Sequence, residues 1–420
     1  MAEHRDTEPG KSSARSVEDY LDAILALMPH PDPIEVALLD AQGLLCAEEV
    51  ISDISLPPND HAAADGYAVR GSDIRGATED EPTVLPVVGE AGIGDHELGS
   101  IGSGMALKVT AGTLMPGGAD LVVPLSWTDR GVARVAVHRE LPSGTYVRNK
   151  GEDVEPGDVA VTVGTPIGPA QVGLLAAVGR ERVLVRPRPR VVIISAGSDL
   201  VDVGTKPGLG QTVDVNSYAL AAAARDADAE VYRAGIGRDD KRRLVELLES
   251  QVIRSDLIVI SGRFSSDSFD VMQEALAEVG EVSFEAVAIH PGALQGSGKL
   301  GAAQTPVLCI PGDPVSALVS FEVFIRPAIR LMAGKRQLFR RTVQAVCQVE
   351  LDSPGGRRQY RRGQVMRHPD GGYVVTTVGG PGAHLLANMA QSNSLIVVDQ
   401  DVTQVPVGGM VTVIPMLLGT

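Results

Sequence analysis

The chain has 420 residues, with 37 Lys and Arg against 53 Asp and Glu, a formal net charge of −16, and 44% hydrophobic residues. This length predicts two to four domains, and the negative charge argues against a general binder of nucleic acid or anionic membranes. Cys46, Cys309 and Cys347 are far apart and lack metal-ligand spacing, which predicts a reducing compartment. Residues 1–15 contain no apolar signal segment, and no run is long enough to span a membrane, so we expect a cytoplasmic protein.

The first 150 residues read as a tail, a helical start and a β-rich region. Residues 1–15 are polar and are expected to be disordered, and Ser16 is the expected N-cap of the first helix. Residues 35–50 are expected to carry a further short helix and an edge of strand. Between residues 54 and 150, short β runs are separated by Gly, Asp and Pro, which predicts a separate β-rich insert.

The second half of the chain alternates strands with helices before it becomes strand-rich. Between 190 and 335 the pattern predicts βαβ units, and hence a parallel sheet with helices on both faces. A helix is also expected at 168–177. Residues 336–420 consist of strand runs with Gly turns, which predicts a small β-barrel or sandwich.

The stretch from 306 to 334 is the most informative part of the alternating region. Its branched apolar run predicts a buried strand, which Pro311 and Gly312 end. Asp313 is the expected N-cap and Pro314 the first residue of a helix, and that helix is predicted to bend at Pro327. Such a turn points backbone N–H groups at one spot and suits an oxyanion, although a sharp αβ corner without a ligand has the same pattern.

Three loops that follow predicted strands carry small residues together with Ser or Asp. They are Ser195–Asp199 (SAGSD, with Gly197), Ser261–Asp270 (SGRFSSDSFD) and Pro311–Pro314 (PGDP). Because ligands of doubly wound sheets bind at the carboxyl ends of the strands, these loops predict a polar ligand, with phosphate as the natural candidate. Each loop taken alone is also ordinary βα-loop chemistry, with Ser and Asp capping helices.

Two acidic segments lie outside the alternating region. Residues 60–67 (DHAAADGY) place Asp65 before Gly66, as in an ordinary Asp-Gly turn. Residues 150–158 (KGEDVEPGD) hold four carboxylates, which read either as a solvated acidic loop or as ligands for Mg²⁺ beside a phosphate.

These motifs together resemble the molybdopterin molybdenumtransferase family, MoeA, which includes the C-terminal domain of gephyrin. The similarity runs from about Ser16 to the C-terminus. The most specific matches are DGYAVR (65–70), MPGGADLVV (115–123), GTYVRNKGEDVEPGD (144–158), GPAQVGLLAAVG (168–179), DVNS (214–217), GIGRDD (235–240), SDLIVISG (255–262), IPGDPVSA (310–317) and QSNSLIVV (391–398).

The resemblance implies an elongated homodimer of α/β multidomain class with four subdomains. The expected division is a tail at 1–15, a discontinuous linker subdomain at 16–53 plus 151–187, a β-rich insert at 54–150, a doubly wound parallel-sheet subdomain of molybdopterin-binding type at 188–335, and a C-terminal β-barrel at 336–420.

The resemblance also implies an activity and a set of residues. The family takes adenylylated molybdopterin and molybdate with Mg²⁺, releases AMP and places molybdenum on the dithiolene. The acidic active-site positions are Asp65, Asp153, Asp239 and Asp270, of which Asp153 and Asp270 are the expected Mg²⁺ ligands. The ligand-binding positions are Ser261, Gly262 and Ser265 in one loop and Pro311, Gly312, Pro314, Val315 and Ser316 in the molybdate-side turn, with Ser195, Gly197, Asp199 and Asp313 added from the strand-end pattern.

Several of the family's anion-handling positions are changed in this chain. The Lys-Pro-Gly-Lys-Pro motif becomes residues 290–294 (HPGAL), and the Asn of the Pro-Gly-Asn-Pro turn becomes Asp313. At an effective dielectric near 20, two unit charges about 4 Å apart interact by roughly 4 kcal/mol, so these exchanges weaken oxyanion binding. Arg263, and His290 if protonated, could compensate.

A non-enzymatic alternative therefore stays open beside the transferase. In it the dimer is a gephyrin-like scaffold that holds a short peptide tail of a tubulin-like cell-division protein or of a membrane receptor. The expected place is the cleft between the parallel-sheet subdomain and the C-terminal barrel, with Tyr360 and Pro381 as candidate contacts that could equally be packing residues.

Overall fold

The computed structural model describes residues 14–95, 99–237, 240–264 and 271–416. The chain divides into two compact units, one formed by residues 34–185 and the other by residues 1–33 with 186–420. No helix within the described ranges is long and apolar enough to cross a membrane. The finer division into four subdomains stays a prediction.

The first helix, α1 (Val17–Leu27), belongs to the larger unit. The Ser16 hydroxyl accepts a hydrogen bond from the Asp19 backbone N–H at 3.0 Å, which satisfies one of the free donors of the first turn. Val17, Tyr20 and Ile24 are buried on one face of the helix. The predicted N-cap is therefore confirmed.

The unit of residues 34–185 is built mainly from short strands. They are β1 (Ile34–Ala37), β2 (Leu45–Cys46), β3 (Val50–Ile51), β4 (His61–Ala62), β5 (Gly66–Val69), β6 (Thr83–Ala91), β7 (Ala106–Val109), β8 (Leu121–Pro124), β9 (Arg134–Val137), β10 (Val147–Arg148), β11 (Val159–Val161) and β12 (Arg182–Arg186), with helix α2 (Pro169–Ala177) and 3₁₀ turns at Gly71–Ile74 and Leu125–Trp127. Five of the strands form one sheet in the order β8-β5-β7-β6-β9.

The prediction of a short helix within residues 35–50 is wrong. β1 pairs antiparallel with β12, because Ile34 and Val36 are β-branched residues that suit a strand. The segment that follows β1 forms consecutive turns, with Ala41 N–H bonding to both Ala37 and Leu38 carbonyls, and Gly43 at φ 82° closes them before β2. The tight turns satisfy the backbone locally and leave no regular helix.

The larger unit contains an α/β part and a β part. Its further elements are β13 (Arg190–Ala196), β14 (Leu200–Val201), β15 (Thr212–Val213), α3 (Asn216–Asp226), β16 (Glu230–Gly237), α4 (Lys241–Val252), β17 (Leu257–Gly262), α5 (Val271–Val279), β18 (Gly280–Ala286), β19 (Ile289–His290), β20 (Leu294–Leu300), β21 (Thr305–Pro311), α6 (Pro314–Ser320), a π-helical turn (Phe321–Ile325), α7 (Arg326–Met332), β22 (Val343–Cys347), β23 (Leu351–Asp352), β24 (Arg358–Arg367), β25 (Tyr373–Thr377), α8 (Leu386–Gln391), β26 (Ser394–Val398), β27 (Gln404–Val405) and β28 (Met410–Pro415).

The α/β part is one six-stranded sheet in the order β16-β13-β17-β21-β20-β18. The first four strands are parallel, as the alternation predicts, whereas β18 and β20 form an antiparallel hairpin beside β21. Alternate strand residues enter two cores, one packed with α1, α3, α6 and α7 and the other with α4 and α5. Helices therefore cover both faces, and the carboxyl ends of β13, β17 and β21 meet at one edge.

The long helical stretch after β21 changes its hydrogen bonding midway. Pro327 has no backbone N–H and cannot continue the α-helical pattern. The Arg326 N–H instead bonds to the Phe321 carbonyl five residues earlier, and the chain forms the π-helical turn. Gly334, at φ 72°, ends the stretch.

The C-terminal strands close into a five-stranded barrel. The sheet order is β24-β25-β22-β28-β26, and β26 pairs back onto β24, so that neither end remains an open edge. The predicted barrel is confirmed. The two-residue strand β19 comes from the α/β part of the chain. It pairs parallel with β24 and so joins the two parts of this unit.

Candidate functional site

A cavity of about 270 Å³ lies at the carboxyl ends of β13, β17 and β21. We call it the sheet-edge cavity. It is lined by Ser195, Ala196, Asp199, Leu200, Thr212, Val213, Asp214, Val215, Asn216, Ser261, Arg263, Gly312, Asp313, Pro314 and His384. Residues from each of the three predicted strand-end loops therefore lie around one space.

The other predicted ligand-binding residues of this edge lie beside the lining. Gly197 is part of the loop between Ser195 and Asp199, Gly262 is the last residue of β17, and Pro311 is the last residue of β21. Ser316 is buried in the first turn of α6 and does not line the cavity. The predicted residues Ser265, Asp239 and Asp270 lie outside the described residues.

Two predicted acidic residues belong to the unit of residues 34–185. The Asp65 carboxylate accepts a hydrogen bond from the Ala111 backbone N–H at 2.8 Å, at the entry to β5. Asp153 is exposed in a loop, and its backbone N–H donates a hydrogen bond to the Leu56 carbonyl at 3.0 Å. Across the described parts of the chain, no group of three or more His, Cys, Asp or Glu side chains is arranged to hold a metal ion.

A buried carboxylate, Asp214, organises the wall of the sheet-edge cavity near α3. Asp214 is 1% exposed and accepts hydrogen bonds from the Ser195 hydroxyl at 2.7 Å and from the Ser217 backbone N–H at 3.0 Å. The Ser217 hydroxyl also donates to Asp214, and it accepts from Arg233 Nε at 2.9 Å. These partners satisfy a charge that would be costly to bury alone.

Sequence reasoning did not single out Asp214 or its neighbour Asn216 as site residues. The Asn216 amide nitrogen donates to the Ser261 hydroxyl at 2.8 Å and to the Gly312 carbonyl at 2.6 Å. The DVNS motif (214–217) was the available signal, since its polar residues stand at the start of a helix. What the motif could not show is that this helix begins at the same edge as β17 and β21.

The N-terminus of α6 is arranged differently from a typical oxyanion cradle. Asp313 occupies the predicted N-cap position, but its side chain makes no capping hydrogen bond. The Val315 N–H donates to the Ala383 carbonyl at 3.0 Å, so one donor of the first turn is already used. The exposed Asp313 carboxylate faces the cavity beside that turn.

Charges of both signs line the sheet-edge cavity. Asp199 and Asp313 contribute carboxylates, and Asp214 contributes a buried carboxylate that is hydrogen-bonded to its neighbours. Arg263 contributes a guanidinium, and His384 is also in the lining. Of the two residues named as able to compensate for the family's lysines, Arg263 lines this cavity and His290 lines a different one. An anion bound here would therefore gain one fixed positive charge while lying close to carboxylates.

A second cavity, of about 220 Å³, lies in the larger unit between the α/β part and the barrel. We call it the basic cavity. It is lined by His290, Pro291, Val315, Gln359, Tyr360, Arg361, Arg362, Thr377, Val378, Gly379, Gly380 and Pro381. Both residues predicted as candidate peptide contacts, Tyr360 and Pro381, are in this lining.

The positive groups of the basic cavity differ in their availability. Arg362 is 5% exposed and donates to the Gly382 carbonyl at 3.0 Å and to the Gly380 carbonyl, so it holds the loop after β25. Arg361 is half-buried, and no described hydrogen bond or ion pair engages its guanidinium. Burial, together with the charges of Arg357 and Arg361, lowers the pKa of His290 below its ordinary value and so favours the neutral ring.

Three family descriptions match successive parts of the chain. "MoeA N-terminal region (domain I and II)" matches residues 15–179, "Probable molybdopterin binding domain" matches 192–331, and "MoeA C-terminal region (domain IV)" matches 344–416. Molybdopterin molybdenumtransferase 1 of Mycobacterium tuberculosis is 47% identical over 418 residues, covering 95% of this chain and 98% of the relative. The chain belongs to the MoeA family.

Other MoeA proteins are similar to this chain over nearly its whole length. Molybdopterin molybdenumtransferase of Haemophilus influenzae is 31% identical, over 94% of this chain and 98% of the relative. A solved molybdopterin biosynthesis MoeA protein from Pyrococcus horikoshii has a TM-score of 0.82 and 29% identity, over 96% of this chain and 99% of that chain. The resemblance seen in the sequence motifs, and the MoeA-like fold that it implies, are confirmed.

The MoeA matches also assign the cavity walls to family regions. The residues of the sheet-edge cavity from Ser195 to Pro314 lie in the region described as the probable molybdopterin binding domain, whereas His384 lies in the MoeA C-terminal region.

Proposed function

We propose that this chain takes part in molybdenum cofactor biosynthesis by inserting molybdenum from molybdate into adenylylated molybdopterin, with release of AMP. The observation that carries the proposal is the convergence of three strand-end loops on one polar cavity in the probable molybdopterin binding domain. Relatives named molybdopterin molybdenumtransferase, matched over almost the full chain, support the same reaction.

We propose further that molybdate binds weakly and that turnover is reduced. Asp313 is exposed at the cavity and stands where an oxyanion would approach the N-terminus of α6. Its negative charge opposes a dianion, whereas Arg263 attracts it. Because both groups are near solvent, each effect is smaller than the unscreened Coulomb energy.

Mg²⁺ is the proposed metal of the reaction. Hard carboxylate oxygens are the ligands that Mg²⁺ prefers, and the bound cation would neutralise negative charge on neighbouring phosphate groups. Asp153 fits this chemistry, since its carboxylate is exposed and no hydrogen bond or ion pair within the described ranges engages it. Asp270 is the second proposed ligand, and Asp65 and Asp239 are the remaining proposed acidic residues.

We also propose that the protein is a cytoplasmic homodimer. No disulfide joins its cysteines, all of which are buried and lie within the described residues (Cys46, Cys309 and Cys347). This is consistent with a reducing compartment. The homodimer rests on the family resemblance, and size-exclusion chromatography with light scattering tests it.

The decisive experiment for the enzyme is a stoichiometric assay with purified protein, adenylylated molybdopterin, Mg²⁺ and molybdate. AMP released only when molybdate is present supports the proposal. An Asp153→Asn variant is expected to require more Mg²⁺ for the same rate. If a correctly folded wild-type protein binds the nucleotide substrate but releases no AMP, the catalytic proposal is wrong.

A second candidate function is favoured by the basic cavity. A cavity with a half-buried Arg361, a neighbouring aromatic residue and a proline suits a short acidic peptide segment with one apolar side chain. We propose it as the site for the peptide tail of a protein partner, with the chain acting as a scaffold. The transferase and its non-enzymatic alternative are assigned to different cavities, so each can be tested separately.

Fluorescence anisotropy tests this second candidate. The probe is a labelled ten-residue peptide of alternating Asp and Leu, and the control is the same peptide with Lys in place of Asp. Saturable binding of the acidic peptide alone supports the scaffold function. Equal binding of both peptides, or binding of neither, contradicts it.

A further inference from the structure

Asn216 joins three separate segments at the sheet-edge cavity through one amide group. It is the first residue of α3 and is 8% exposed. Its two amide N–H groups are both used, one on the Ser261 hydroxyl at the end of β17 and one on the Gly312 carbonyl after β21. With no N–H left, this amide has no donor to offer a bound anion.

The direction of the neighbouring hydrogen bonds requires an amide at this position. The Ser261 hydroxyl donates its own proton to the Pro311 carbonyl at 3.0 Å, so it must accept from Asn216. The Gly312 carbonyl can only accept. Among uncharged side chains, Asn and Gln alone offer two donors on one atom, and an Asp of the same shape would turn oxygens toward both acceptors.

The two loops that this amide joins are also in close backbone contact. A Cβ added to Gly312 would lie 3.1 Å from the Gly262 carbonyl carbon and 3.5 Å from the Arg263 backbone nitrogen. The Gly262–Arg263 peptide and the turn at Gly312 therefore lie so close together that a side chain at position 312 would force one of them to shift. Arg263 is the residue after Gly262, and Asp313 is the residue after Gly312. These two charged residues, which have opposite effects on a bound anion, are therefore adjacent in the chain to the close contact.

The anchoring of α3 makes the bridge rigid. Asp214 holds the first turn of α3 to the Ser195 hydroxyl at the end of β13, and Ser217 is held in turn by Arg233. Asn216 therefore extends from a helix end that is itself fixed to the sheet.

We propose that Asn216 is a positioning residue that sets the relative placement of Arg263 and Asp313, and thereby the affinity of the sheet-edge cavity for tetrahedral oxyanions. This inference rests on the proposed function for the identity of the anion, molybdate. The positioning itself does not depend on it.

The chain offers a closely matched control in Gln295. The Gln295 amide nitrogen donates to the Gly292 carbonyl at 2.6 Å and to the Ser320 hydroxyl at 2.8 Å, and the residue is 1% exposed. It thus forms the same kind of bridge with the same kinds of partner, but it lines neither cavity. Asn216→Ala and Gln295→Ala remove equivalent hydrogen bonds, so general destabilisation affects both.

The first measurement is hydrogen exchange by mass spectrometry on the full-length protein. In Asn216→Ala we expect faster exchange in peptides covering 258–264 and 309–316, whereas in Gln295→Ala the peptide covering 258–264 should keep the wild-type rate relative to the rest of the chain. Equal acceleration in both variants, or none in Asn216→Ala, overturns the positioning role. This result does not depend on whether the protein binds molybdate.

The second measurement is calorimetric titration with sodium molybdate alone. We expect the dissociation constant to rise about tenfold in Asn216→Ala, which corresponds to about 1.4 kcal/mol, and to change less than twofold in Gln295→Ala. In the AMP-release assay, the molybdate KM should rise in Asn216→Ala with little change in kcat. If Asn216→Ala exchanges faster but binds molybdate with unchanged affinity, the link between positioning and anion binding is overturned. If the wild-type protein binds no molybdate, both that link and the proposed function are overturned.

Discussion

The sheet-edge cavity and the basic cavity, both in the larger unit, are similar in size but differ in the charge that they offer. The sheet-edge cavity measures about 270 Å³ and carries Asp199 and Asp313 against Arg263. The basic cavity measures about 220 Å³ and carries Arg361 and Arg362 with no lining carboxylate among the described residues. In a chain with a net charge of −16, the one of these two cavities that is better suited to a negative ligand is therefore not the one at the strand ends.

The comparison teaches that fold and ligand preference are separable in this molecule. Parallel strands deliver loops to one edge whatever residues those loops carry, so the sheet-edge cavity persists with Asp313 in it. Its charge then depends on single side chains. Substitutions that change one charge in one cavity are the direct way to test how far the two sites differ.

The largest expected effect comes from reversing the charge of Arg361. Arg361→Glu should weaken binding of the acidic Asp-Leu peptide about 30-fold or more, since disrupting a partly buried charge pair at an interface costs roughly 2 kcal/mol or more. Fluorescence anisotropy measures it. Arg367→Glu is the matched control, because it makes the same change on the same strand without lining the cavity. Similar losses in both variants would mean that long-range charge, and not this cavity, binds the peptide.

The second largest expected effect comes from removing the charge of Asp313 in the sheet-edge cavity. Asp313→Asn should strengthen molybdate binding about tenfold, because it removes a repulsion of roughly 4 kcal/mol at 4 Å that solvent largely screens. Calorimetry with molybdate measures the change. Asp352→Asn removes the same charge from β23 and should leave the affinity unchanged. A weaker complex in Asp313→Asn would show that the carboxylate assists the anion through a cation or a proton.

Most of the fold could be predicted from the sequence because its signals are local. The N-cap at Ser16, the βαβ alternation and the break at Pro311–Gly312 each act over a few residues. Strand direction is not local, which is why the alternation between 190 and 335 predicts a parallel sheet throughout, although β18 and β20 form an antiparallel hairpin. Its antiparallel register depends on a return turn that periodicity does not reveal.

The sequence predicts which loops meet at the sites, but it does not predict the side-chain contacts between them. The strand-end rule brought Ser195, Ser261 and Gly312 together, but the bridge made by Asn216 depends on contacts 45 and 96 residues away in sequence. The basic cavity is a stronger case, since only the folded chain brings Tyr360 and Pro381 into one lining with Arg361 and His290.

A third, smaller effect tests the positive charge of the sheet-edge cavity. Arg263→Ala should weaken molybdate binding about fivefold, because an exposed guanidinium contributes on the order of 1 kcal/mol or less. Arg254→Ala, an exposed arginine on the same part of the chain that bonds to Ser250 O, is the control. If Arg263→Ala has no effect, the backbone N–H groups alone hold the anion.

The smallest expected effect is a pH dependence of the basic cavity. Burial and the charges of Arg357 and Arg361 lower the pKa of His290 from its ordinary 6.5, so the free protein holds it neutral at pH 7.5. A bound acidic peptide favours the protonated ring, so the complex takes up protons and its affinity rises as pH falls. We expect about threefold tighter binding at pH 5.5 than at pH 7.5, above the range in which peptide carboxylates titrate.

Peptide affinity is expected to rise as pH falls, whereas the free energy of unfolding of the free protein should decrease. This difference makes the assignment to His290 testable. Because the folded pKa is lowered, the unfolded chain takes up the proton first, and stability is lost as pH falls from about 6.5 toward the folded pKa. His290→Asn should abolish both this part of the thermal-stability change and the pH dependence of peptide affinity. A pH slope that persists in His290→Asn would assign the titration to another group, and the basic cavity would then differ from the sheet-edge cavity in fixed charge alone.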